Sequence, residues 1–491
     1  MASELVWKSS FGLAGALESG DVSAVDVVRA FIDRSGEVDG RLHGYLRRSD
    51  EDVLASARLA DERRAAGRTR SSYDGIPVAY KDIFVTKGIT TTCGSRILGD
   101  WLPPYDATVV ERCSAAGLLS LGKTNMDEFA MGSSTENSAF GPSKNPWDLE
   151  RVPGGSSGGS AALVAAGAIP WAWGTETGGS VRQPASLCGV VGVKPTYGLV
   201  SRYGMVAFAS SLDQAGPIAR TVKDAAALLE LAAGADPRDS TCIPERPPRL
   251  LDGIDRGIEG MRIGVLESHG DAEAEKGVQT RVDEAYTRLQ KLGARLEPVA
   301  LPSFEFGISA YYLIAPAECS SNLARYDGVR YGYRAEGEDI VKMTSRTRAE
   351  GFGAEVKRRI MLGTYALSAG YYDAYYGKAQ RVRTLITKEL EKAYSSFDLI
   401  VCPTSPTTAF KLGERSEDPL AMYLSDVLTV PVNLAGNAAI TVPCGASPTD
   451  GLPVGLQIIA KALDEQTMFR AAYAFEQDLG WISSPEGRPP L

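Results

Sequence analysis

Two neighbouring turns decide the fold of this chain: Gly154-Gly155-Ser156-Ser157-Gly158-Gly159-Ser160 and Thr177-Gly178-Gly179-Ser180. Glycine allows positive φ angles and lets a ligand approach main-chain N–H groups closely. Serine adds a hydroxyl group that a nearby base can make nucleophilic. Folded together, the two turns would supply the hydroxyl and N–H groups that acyl transfer requires.

The segments that flank these turns argue against a flexible linker, which is the common role of glycine-serine runs. Residues 161–171 follow the first turn and are apolar enough for a protein core. Residues 188–193 follow the second turn and are predicted to form a buried strand. Because a linker does not lie between two core elements, we interpret both turns as parts of a folded site.

The composition excludes several classes of function. The chain has 491 residues, of which 44% are hydrophobic and 23% charged, values typical of a globular enzyme. A net charge of −9 without a long basic run argues against strong nucleic-acid binding by this chain alone. No apolar run of membrane-spanning length and no signal peptide are present, so we expect a cytoplasmic protein without membrane contact. Seven scattered cysteines indicate reduced, mostly buried thiols and no metal site.

The scarcity of histidine limits the choice of catalytic base. His43 and His269 are the two histidines of the sequence, and neither has the carboxylate spacing of a metal site. We expect structural or surface roles for both. A Ser-His-Asp triad is therefore disfavoured, although residues 154–158 match the G-x-S-x-G pattern of serine hydrolases.

Lys81 is a candidate base because it lies in a predicted buried strand, residues 76–85. Burial disfavours the ammonium form and lowers the pKa of a lysine, which makes the neutral amine accessible. The alternative is that Lys81 reaches the surface or pairs with Asp82. Lys81 precedes Ser156 by 75 positions in the sequence, so this segment alone leaves both possibilities open.

Two motif matches in residues 117–124 point to other chemistries. The segment fits the G-x-x-x-x-G-K-[ST] phosphate loop, but its intervening Leu-Leu-Ser-Leu residues are predicted to be a strand rather than an exposed loop. Residues 120–123 also match S-x-x-K, whereas the S-D-N and K-T-G elements that accompany this motif are absent. We therefore assign neither nucleotide binding nor β-lactamase-type catalysis to this segment.

The remaining pattern predicts an α/β protein with one large domain, residues 1–491. Its predicted parts are a helical segment over 1–70, a strand-rich core over 75–217, and later helices and strands over 218–491 that can rejoin the same sheet. A Pro-, Asp- and Arg-rich loop over 237–257 could be mistaken for a domain linker. Predicted later elements are helices over 223–233, 278–292 and 365–394, and strands over 262–266, 399–402, 439–442 and 454–459.

Three separated elements together resemble the amidase signature family: Lys81, residues 154–159 and residues 174–184. Their order and spacing are highly specific, and residues 122–132, 194–198, 210–214 and 359–364 support the resemblance. Within the family, the sequence is similar to the glutaminase subunits of tRNA-dependent amidotransferases. The resemblance implies a mixed central β-sheet flanked by helices on both sides.

The resemblance also implies different roles for the serines of the two turns, among which Ser157 and Ser160 have only supporting roles. Ser180 would be the nucleophile and would form an acyl ester. Ser156 would relay the proton from Ser180 to Lys81, and the peptide bond between Gly155 and Ser156 would be cis. The backbone N–H groups of the turn Thr177-Gly178-Gly179-Ser180 would form the oxyanion hole, with Thr177, Gly178 and Gly179 as its expected members.

The implied substrate is glutamine, hydrolysed to glutamate and ammonia. By the same resemblance, Arg359 would hold the α-carboxylate and Asp426 the α-ammonium group; the alternatives are a helix-surface arginine and a helix cap. Subunits B and C would complete a heterotrimer, in which a partner uses ATP and Mg²⁺, holds the charged tRNA and receives the ammonia. No cofactor or metal is expected in this chain itself.

Two positions depart from the family pattern, and other functions compete with the implied one. Glu176 stands where relatives usually carry Asp, and Asn437-Ala438 replaces a Leu-Pro-like pair. Neither position belongs to the implied triad. The nearest alternative is a stand-alone Ser-Ser-Lys amidase that acts on a free small amide, and a more distant one is a catalytically silent structural subunit.

Overall fold

The computed structural model of the chain describes residues 2–245, 249–267 and 273–491. The predicted role of His269 lies outside the described residues. None of the helices in these three ranges combines the length and the apolar character needed to span a membrane.

One mixed sheet of eleven strands runs through the described part of the chain. The strands are β1 (Tyr45–Arg48), β2 (Pro77–Lys81), β3 (Leu119–Thr124), β4 (Trp171–Glu176), β5 (Val191–Lys194), β6 (Gln214–Ala219), β7 (Arg262–Leu266), β8 (Arg295–Val299), β9 (Leu399–Pro403), β10 (Ala438–Ala446) and β11 (Pro453–Ala460). Their order across the sheet is β1-β3-β2-β4-β6-β5-β10-β11-β9-β7-β8. Parallel pairs such as β2 with β4 occur beside antiparallel pairs such as β4 with β6, as expected for a mixed sheet.

Helices pack on both sides of this sheet, which confirms the predicted α/β class. They are α1 (Ala2–Leu5), α2 (Ser10–Ser19), α3 (Ala24–Leu42), α4 (Asp50–Ala65), α5 (Thr108–Ala115), α6 (Gly158–Ala165), α7 (Arg182–Cys188), α8 (Val222–Ala232), α9 (Lys276–Lys291), α10 (Gly307–Asn322), α11 (Ile340–Gly351), α12 (Ala354–Ala366), α13 (Lys378–Ala393), α14 (Pro419–Leu424), α15 (Val430–Ala435) and α16 (Glu465–Leu479). Short 3₁₀ turns and one π turn, Asp373–Gly377, connect some of them.

The N-terminal segment is helical except for one edge strand. Helix α3 begins with a capping box, in which the Ser23 side chain accepts the Asp26 N–H, and its apolar stripe is buried. His43 ends α3 with a φ of 52°, a left-handed conformation that reverses the chain. The chain then forms β1, which pairs antiparallel with β3 and was not predicted. The described contacts of His43 are therefore structural, as expected.

The centre of the sheet brings two distant parts of the sequence to the same edge. Strand β2 is parallel to both β3 and β4, so the carboxyl ends of β2 and β4 lie side by side. Tyr80, Trp171 and Trp173 are fully buried in these strands and fix them in the core. Lys81 is the last residue of β2, and Glu176 is the last residue of β4.

The segment that matches the phosphate-loop pattern is a buried strand, as predicted. Residues 119–124 form β3, and Lys123 has no solvent-exposed surface. Its Nζ lies 2.9 Å from Asp82 Oδ1 and donates to the Phe84 carbonyl oxygen at 2.8 Å. Asp82 thus pairs with Lys123 and is not the partner of Lys81, which removes one of the two alternatives for Lys81.

The late strands join the early sheet, as the sequence predicted. Strand β10 pairs antiparallel with β5, with Ala439 opposite Lys194. Strands β11, β9, β7 and β8 then extend the sheet from β10. The described elements before and after residues 237–257 therefore share one sheet, and a single domain over residues 1–491 stays a prediction that agrees with this sheet.

Two predicted elements differ from the structure. Residues 188–193 are not one strand, because Cys188 ends α7, Gly189 adopts a φ of 71°, and β5 begins only at Val191. The predicted helix over 365–394 is interrupted between α12 and α13. Gly370, with a φ of 85°, lies within this interruption, where the helix cannot continue.

Candidate active site

The Lys81 amine lies at the centre of a buried hydrogen-bond network. Its Nζ donates to Ser156 Oγ at 2.7 Å, to Ser157 Oγ at 2.9 Å and to the Thr175 carbonyl oxygen at 3.3 Å. Lys81 has no exposed surface. The fold therefore brings together Lys81 and Ser156, which the sequence separates by 75 positions.

Burial lowers the pKa of the Lys81 ammonium to about 7. The carboxylates of Asp127, Glu176 and Asp213 oppose this shift in that order, but they do not cancel it. A neutral amine is consequently accessible near neutral pH, and a neutral amine can accept a proton from a hydroxyl group.

The turn that carries Ser156 is closely enclosed. The Gly155–Ser156 peptide bond is cis, as the family resemblance implied. A side chain on Gly155 would overlap Asp127 and the backbone N–H groups of Ser134 and Thr135. Asp127 was not singled out from the sequence, yet its carboxylate accepts the Thr135 N–H at 2.8 Å and so anchors the loop against this turn.

Ser157 connects the two glycine-serine turns. Its backbone N–H donates to the Ser180 carbonyl oxygen at 3.1 Å, and its hydroxyl donates to the Thr175 carbonyl oxygen at 3.1 Å. From the sequence we expected only a supporting role for Ser157. Its contact with Lys81 at 2.9 Å shows that it also helps to position the lysine amine.

Ser180 lies at the end of the second turn and retains a small exposed area. In the part of the chain that the structure describes, its hydroxyl makes no hydrogen bond, and the N–H groups of Gly178, Gly179 and Ser180 have no acceptor. Gly179 has a φ of 153°, and a side chain there would overlap Thr429. The turn thus presents unpaired donors next to a free hydroxyl.

Glu176 fixes the backbone on both sides of this turn. Its Oε2 accepts the N–H groups of Val181 and Arg182 at 3.2 Å each, directly after Ser180. Its Oε1 accepts from Nε of the buried Arg182 at 2.7 Å. The longer side chain at this family departure therefore forms a complete ion pair and caps the start of α7.

The same arginine ties the turn to the late part of the chain. The Arg182 guanidinium donates to the Thr429 carbonyl oxygen at 3.0 Å, to Asn433 Oδ1 at 2.5 Å and to Gln457 Oε1. Because Arg182 is fully buried, these acceptors together with Glu176 satisfy its charge and donors.

Arg359 is buried on α12, which contradicts the alternative of a helix-surface arginine. Its Nε donates to Glu355 Oε1 at 2.8 Å, and its guanidinium carbon lies 5.1 Å from the ring centroid of Tyr312 and 5.6 Å from that of Tyr423. Among the described residues, no hydrogen-bond acceptor receives its two terminal nitrogens. This leaves the planar fork free for a carboxylate.

Asp426 is buried near the second turn. Its Oδ2 accepts the Ser133 hydroxyl at 2.5 Å, whereas Oδ1 has no partner among the described residues. A side chain on Gly179 would lie 2.8 Å from that oxygen, so the free oxygen faces the Ser180 turn. Burial raises the pKa of the Asp426 carboxyl to about 7. Its side chain caps no helix in the described ranges, which removes the second alternative.

A cavity of about 140 Å³ adjoins these groups. It is lined by Gly132, Ser134, Glu136, Asn137, Ala354, Glu355, Arg358, Arg359, Arg415, Ser416, Pro419, Met422 and Tyr423. Arg359 lies in this lining, while Ser180 and Asp426 lie outside it. Ser134 of the lining directly follows Ser133, whose hydroxyl donates to Asp426.

The other family departure lies outside this network. Asn437 precedes β10, and its amide nitrogen donates to the Ala460 carbonyl oxygen of β11 at 3.1 Å. It therefore joins two strand ends and contacts none of the candidate site residues through a hydrogen bond in the described ranges.

This fold and this arrangement of lysine, two serines and an open donor turn define an amidase. The chain belongs to the amidase family, whose sequence profile matches residues 26–469. Among its relatives, the A subunit of glutamyl-tRNA(Gln) amidotransferase from Streptomyces coelicolor is 56% identical over 479 residues, which cover 96% of each chain.

Solved structures give the same family. The crystal structure of the A subunit of glutamyl-tRNA(Gln) amidotransferase from Thermotoga maritima is 44% identical, with a TM-score of 0.79 over 100% of this chain and 97% of that one. The native peptide amidase from Stenotrophomonas maltophilia is 31% identical, with a TM-score of 0.83 over 96% of this chain and 97% of that one.

Proposed function

We propose that this chain is the glutamine-hydrolysing subunit of a tRNA-dependent amidotransferase. The observation that carries the proposal is the buried Lys81–Ser156 hydrogen bond, 2.7 Å long, beside the open turn that ends at Ser180. The 56% identity to the A subunits of glutamyl-tRNA(Gln) amidotransferases, over almost the whole chain, supports the choice of reaction within the amidase family.

In this proposal Ser180 attacks the side-chain amide carbon of glutamine. Ser156 accepts the Ser180 proton as it gives its own proton to the neutral Lys81 amine. The N–H groups of the turn from Thr177 through Gly178 and Gly179 to Ser180 stabilise the oxyanion. Proton return to the leaving nitrogen releases ammonia, and water then hydrolyses the acyl ester by the reverse proton route, which gives glutamate.

Two charged groups select glutamine. The free terminal nitrogens of Arg359 bind the α-carboxylate in a bidentate manner. The unpartnered Oδ1 of Asp426 accepts the α-ammonium group, whose positive charge favours the ionised carboxylate. An uncharged primary amide would leave both buried groups without a partner, which disfavours its binding.

The ammonia serves a partner in this proposal. Subunits B and C complete a heterotrimer in the cytoplasm, and ATP, Mg²⁺ and the mischarged glutamyl-tRNA(Gln) are bound mainly by the partner. The acidic balance of this chain agrees with tRNA binding elsewhere. The choice between glutamate- and aspartate-charged tRNA would also lie with the partner.

The test is Ser180→Ala. We expect this variant to bind glutamine with unchanged affinity but to release no ammonia, because the attacking oxygen is gone. Ser160→Ala is the matched control, since Ser160 lies in the first turn but its hydroxyl donates to the Trp173 carbonyl oxygen, away from Lys81. Full glutaminase activity in Ser180→Ala would overturn the assignment.

A stand-alone amidase is the second candidate, and the likeness to a peptide amidase favours it. The two functions differ in their dependence on partners. If this chain works in an amidotransferase, its glutamine hydrolysis stays weak until subunits B and C, ATP and charged tRNA are present. A free amidase would show full activity alone on a small amide, and glutamine would have no advantage.

A further inference from the structure

An exposed apolar surface begins on α12, the helix that also carries Arg359. Six side chains form it: Met361, Leu362 and Tyr365 of α12, and Tyr371, Tyr372 and Tyr375 after it. We call these six residues the tyrosine patch. Met361 is 72% exposed and Tyr365 is 51% exposed. Scattered exposed apolar residues are ordinary, but a contiguous group of this kind marks an interaction site.

The rings of the patch are ordered against each other. The centroids of Tyr365 and Tyr371 are 4.6 Å apart, and those of Tyr371 and Tyr375 are 5.8 Å apart. A preordered aromatic surface loses little conformational entropy when a partner covers it. Tyrosine and methionine are also enriched in protein–protein interfaces.

Helix α12 presents the patch outward because its opposite face is occupied. Gly363 packs so closely on α10 that a side chain there would overlap the Pro316 carbonyl oxygen. Arg359 points from the same helix into the buried site. The helix that carries the outer patch therefore also carries the group that we assign to the glutamine carboxylate.

The sequence segment that carries the patch has a basic charge balance, whereas the chain as a whole is acidic. Residues 340–392 contain eleven Lys and Arg against five Asp and Glu, whereas the whole chain has 52 against 61. This basic segment argues against a second copy of the acidic chain as the occupant. It favours a partner surface that combines apolar side chains with acidic ones.

We propose that the tyrosine patch is the docking surface for an acidic, partly apolar face of the partner subunit that receives ammonia. The proposal rests on the proposed amidotransferase function. Because α12 joins the patch to Arg359, docking there bears directly on the helix that binds substrate. This connection gives the partner a physical route by which to stimulate glutamine hydrolysis.

The experiment measures binding of purified subunits B and C of the same organism to the full chain by calorimetry. We expect the double variant Met361→Glu/Tyr372→Glu to bind at least about tenfold more weakly, because it places carboxylates into an apolar contact that faces acidic groups. Its basal glutaminase activity and its melting temperature stay unchanged. Met361→Leu keeps binding, and so does Leu59→Glu, an equally conspicuous exposed change on α4.

Each outcome separates this proposal from the function on which it rests. Unchanged binding of B and C by the double variant, with binding by the unmodified chain, overturns the docking surface alone. A patch-dependent dimer of this chain in light scattering, with partner binding intact, assigns the surface to a second copy and also overturns it. No binding of B and C by the unmodified chain overturns the amidotransferase function itself.

Discussion

Two fully buried lysines in neighbouring strands have different electrostatic partners. Lys123 faces the Asp82 carboxylate at 2.9 Å, which compensates its charge. The described hydrogen-bond partners of Lys81 are two serine hydroxyls and one carbonyl oxygen, none of which is charged. Lys123 therefore forms a structural ion pair, whereas the uncharged surroundings of Lys81 support our proposal that Lys81 is the proton acceptor.

The pH dependence of catalysis tests this assignment. Because burial lowers the pKa of Lys81 to about 7, the amine is protonated below that pH and cannot accept the Ser156 proton. We expect kcat/KM for glutamine to fall about tenfold per pH unit on the acidic side of this pKa. The measurement is an ammonia-release assay between about pH 5 and about pH 9, a range that brackets the lowered pKa.

Lys81→Ala is the matching variant and removes this acceptor. We expect almost complete loss of activity, since removal of one member of such a relay disables the whole unit. An active Lys81→Ala variant that keeps the same acidic limb would assign the limb to another base.

The buried ion pair of Glu176 with Arg182 leads to a prediction about stability. Glu176→Gln removes the negative charge that pairs with the buried Arg182 and leaves that guanidinium without compensation. Breaking a buried pair in this way costs about 3–5 kcal/mol of unfolding free energy. Glu176→Asp keeps the charge and should lose much less. Denaturant unfolding of the three proteins would show equal midpoints if the pair were unimportant.

The residues of the site differ in how far the sequence could reveal them. Predicted burial and the scarcity of histidine made Lys81 a candidate base, but its role came from the family resemblance. Arg359 and Asp426 depended on that resemblance alone because nothing local marks them. Ser157 was underrated, since adjacent serines are indistinguishable until the turn is folded. Its hydroxyl oxygen and that of Ser156 both accept hydrogen bonds from the Lys81 amine.

At the scale of helices and strands, the pattern of apolar residues and the positions of glycines decided which elements could be predicted. Strand β3 was recognised because its apolar residues outweighed a misleading phosphate-loop pattern. The start of β5 was misplaced because residues 188–190 are apolar but belong to a helix end and a left-handed glycine. Strand β1 was missed because it is four residues long and depends on pairing with β3.

The close packing of α12 on α10 can be tested by a substitution at Gly363. Gly363→Ala would normally favour a helix, but here the added methyl group overlaps the Pro316 carbonyl oxygen. We expect a net loss of about 1–3 kcal/mol in unfolding free energy and a higher KM for glutamine, because α12 carries Arg359.

Gly36→Ala in α3 is the control for this change. No atom lies within 4 Å of the position that its methyl group would take. We expect it to stabilise the protein by about 0.5–1 kcal/mol with no change in KM. Equal behaviour of the two variants in thermal unfolding and in glutamine kinetics would contradict the close packing of α12 on α10.

At the scale of the whole molecule, buried carboxylates join distant helices. Asp224 of α8 accepts the Ser10 N–H at the start of α2, and Glu476 of α16 accepts the Val222 N–H at the start of α8. Both ends of the chain are thereby fastened to α8. The sequence predicted that the late strands can join the early sheet. It could not predict which residues of these strands pair with each other.

Stability against pH tests this arrangement. Burial raises the pKa of the Glu476 carboxyl from 4.5 to about 8, so the folded protein holds this proton more tightly than the unfolded chain. The stabilisation is complete below the lower value and is lost as pH rises towards the higher one, at up to about 1.4 kcal/mol per pH unit. Glu476→Gln keeps an acceptor for Val222 and cannot ionise.

We therefore expect the unfolding free energy of Glu476→Gln to fall less steeply between these two pH values than that of the unmodified chain. Urea unfolding at a series of pH values gives both slopes. Identical slopes would place the raised proton affinity on another group.

The hydrogen bonds of the Arg182 guanidinium limit which chimaeras between related proteins can be active. It donates to acceptors that lie between 6 and 275 positions away in the sequence, so one side chain joins the end of β4, next to the Ser180 turn, to β11. When gene segments recombine between relatives, a crossover between these positions can combine Arg182 from one parent with acceptor residues from another parent that do not match it. We expect active chimaeras where residues 176–182 and 429–457 come from the same parent, and inactive ones where their side chains differ around this cation.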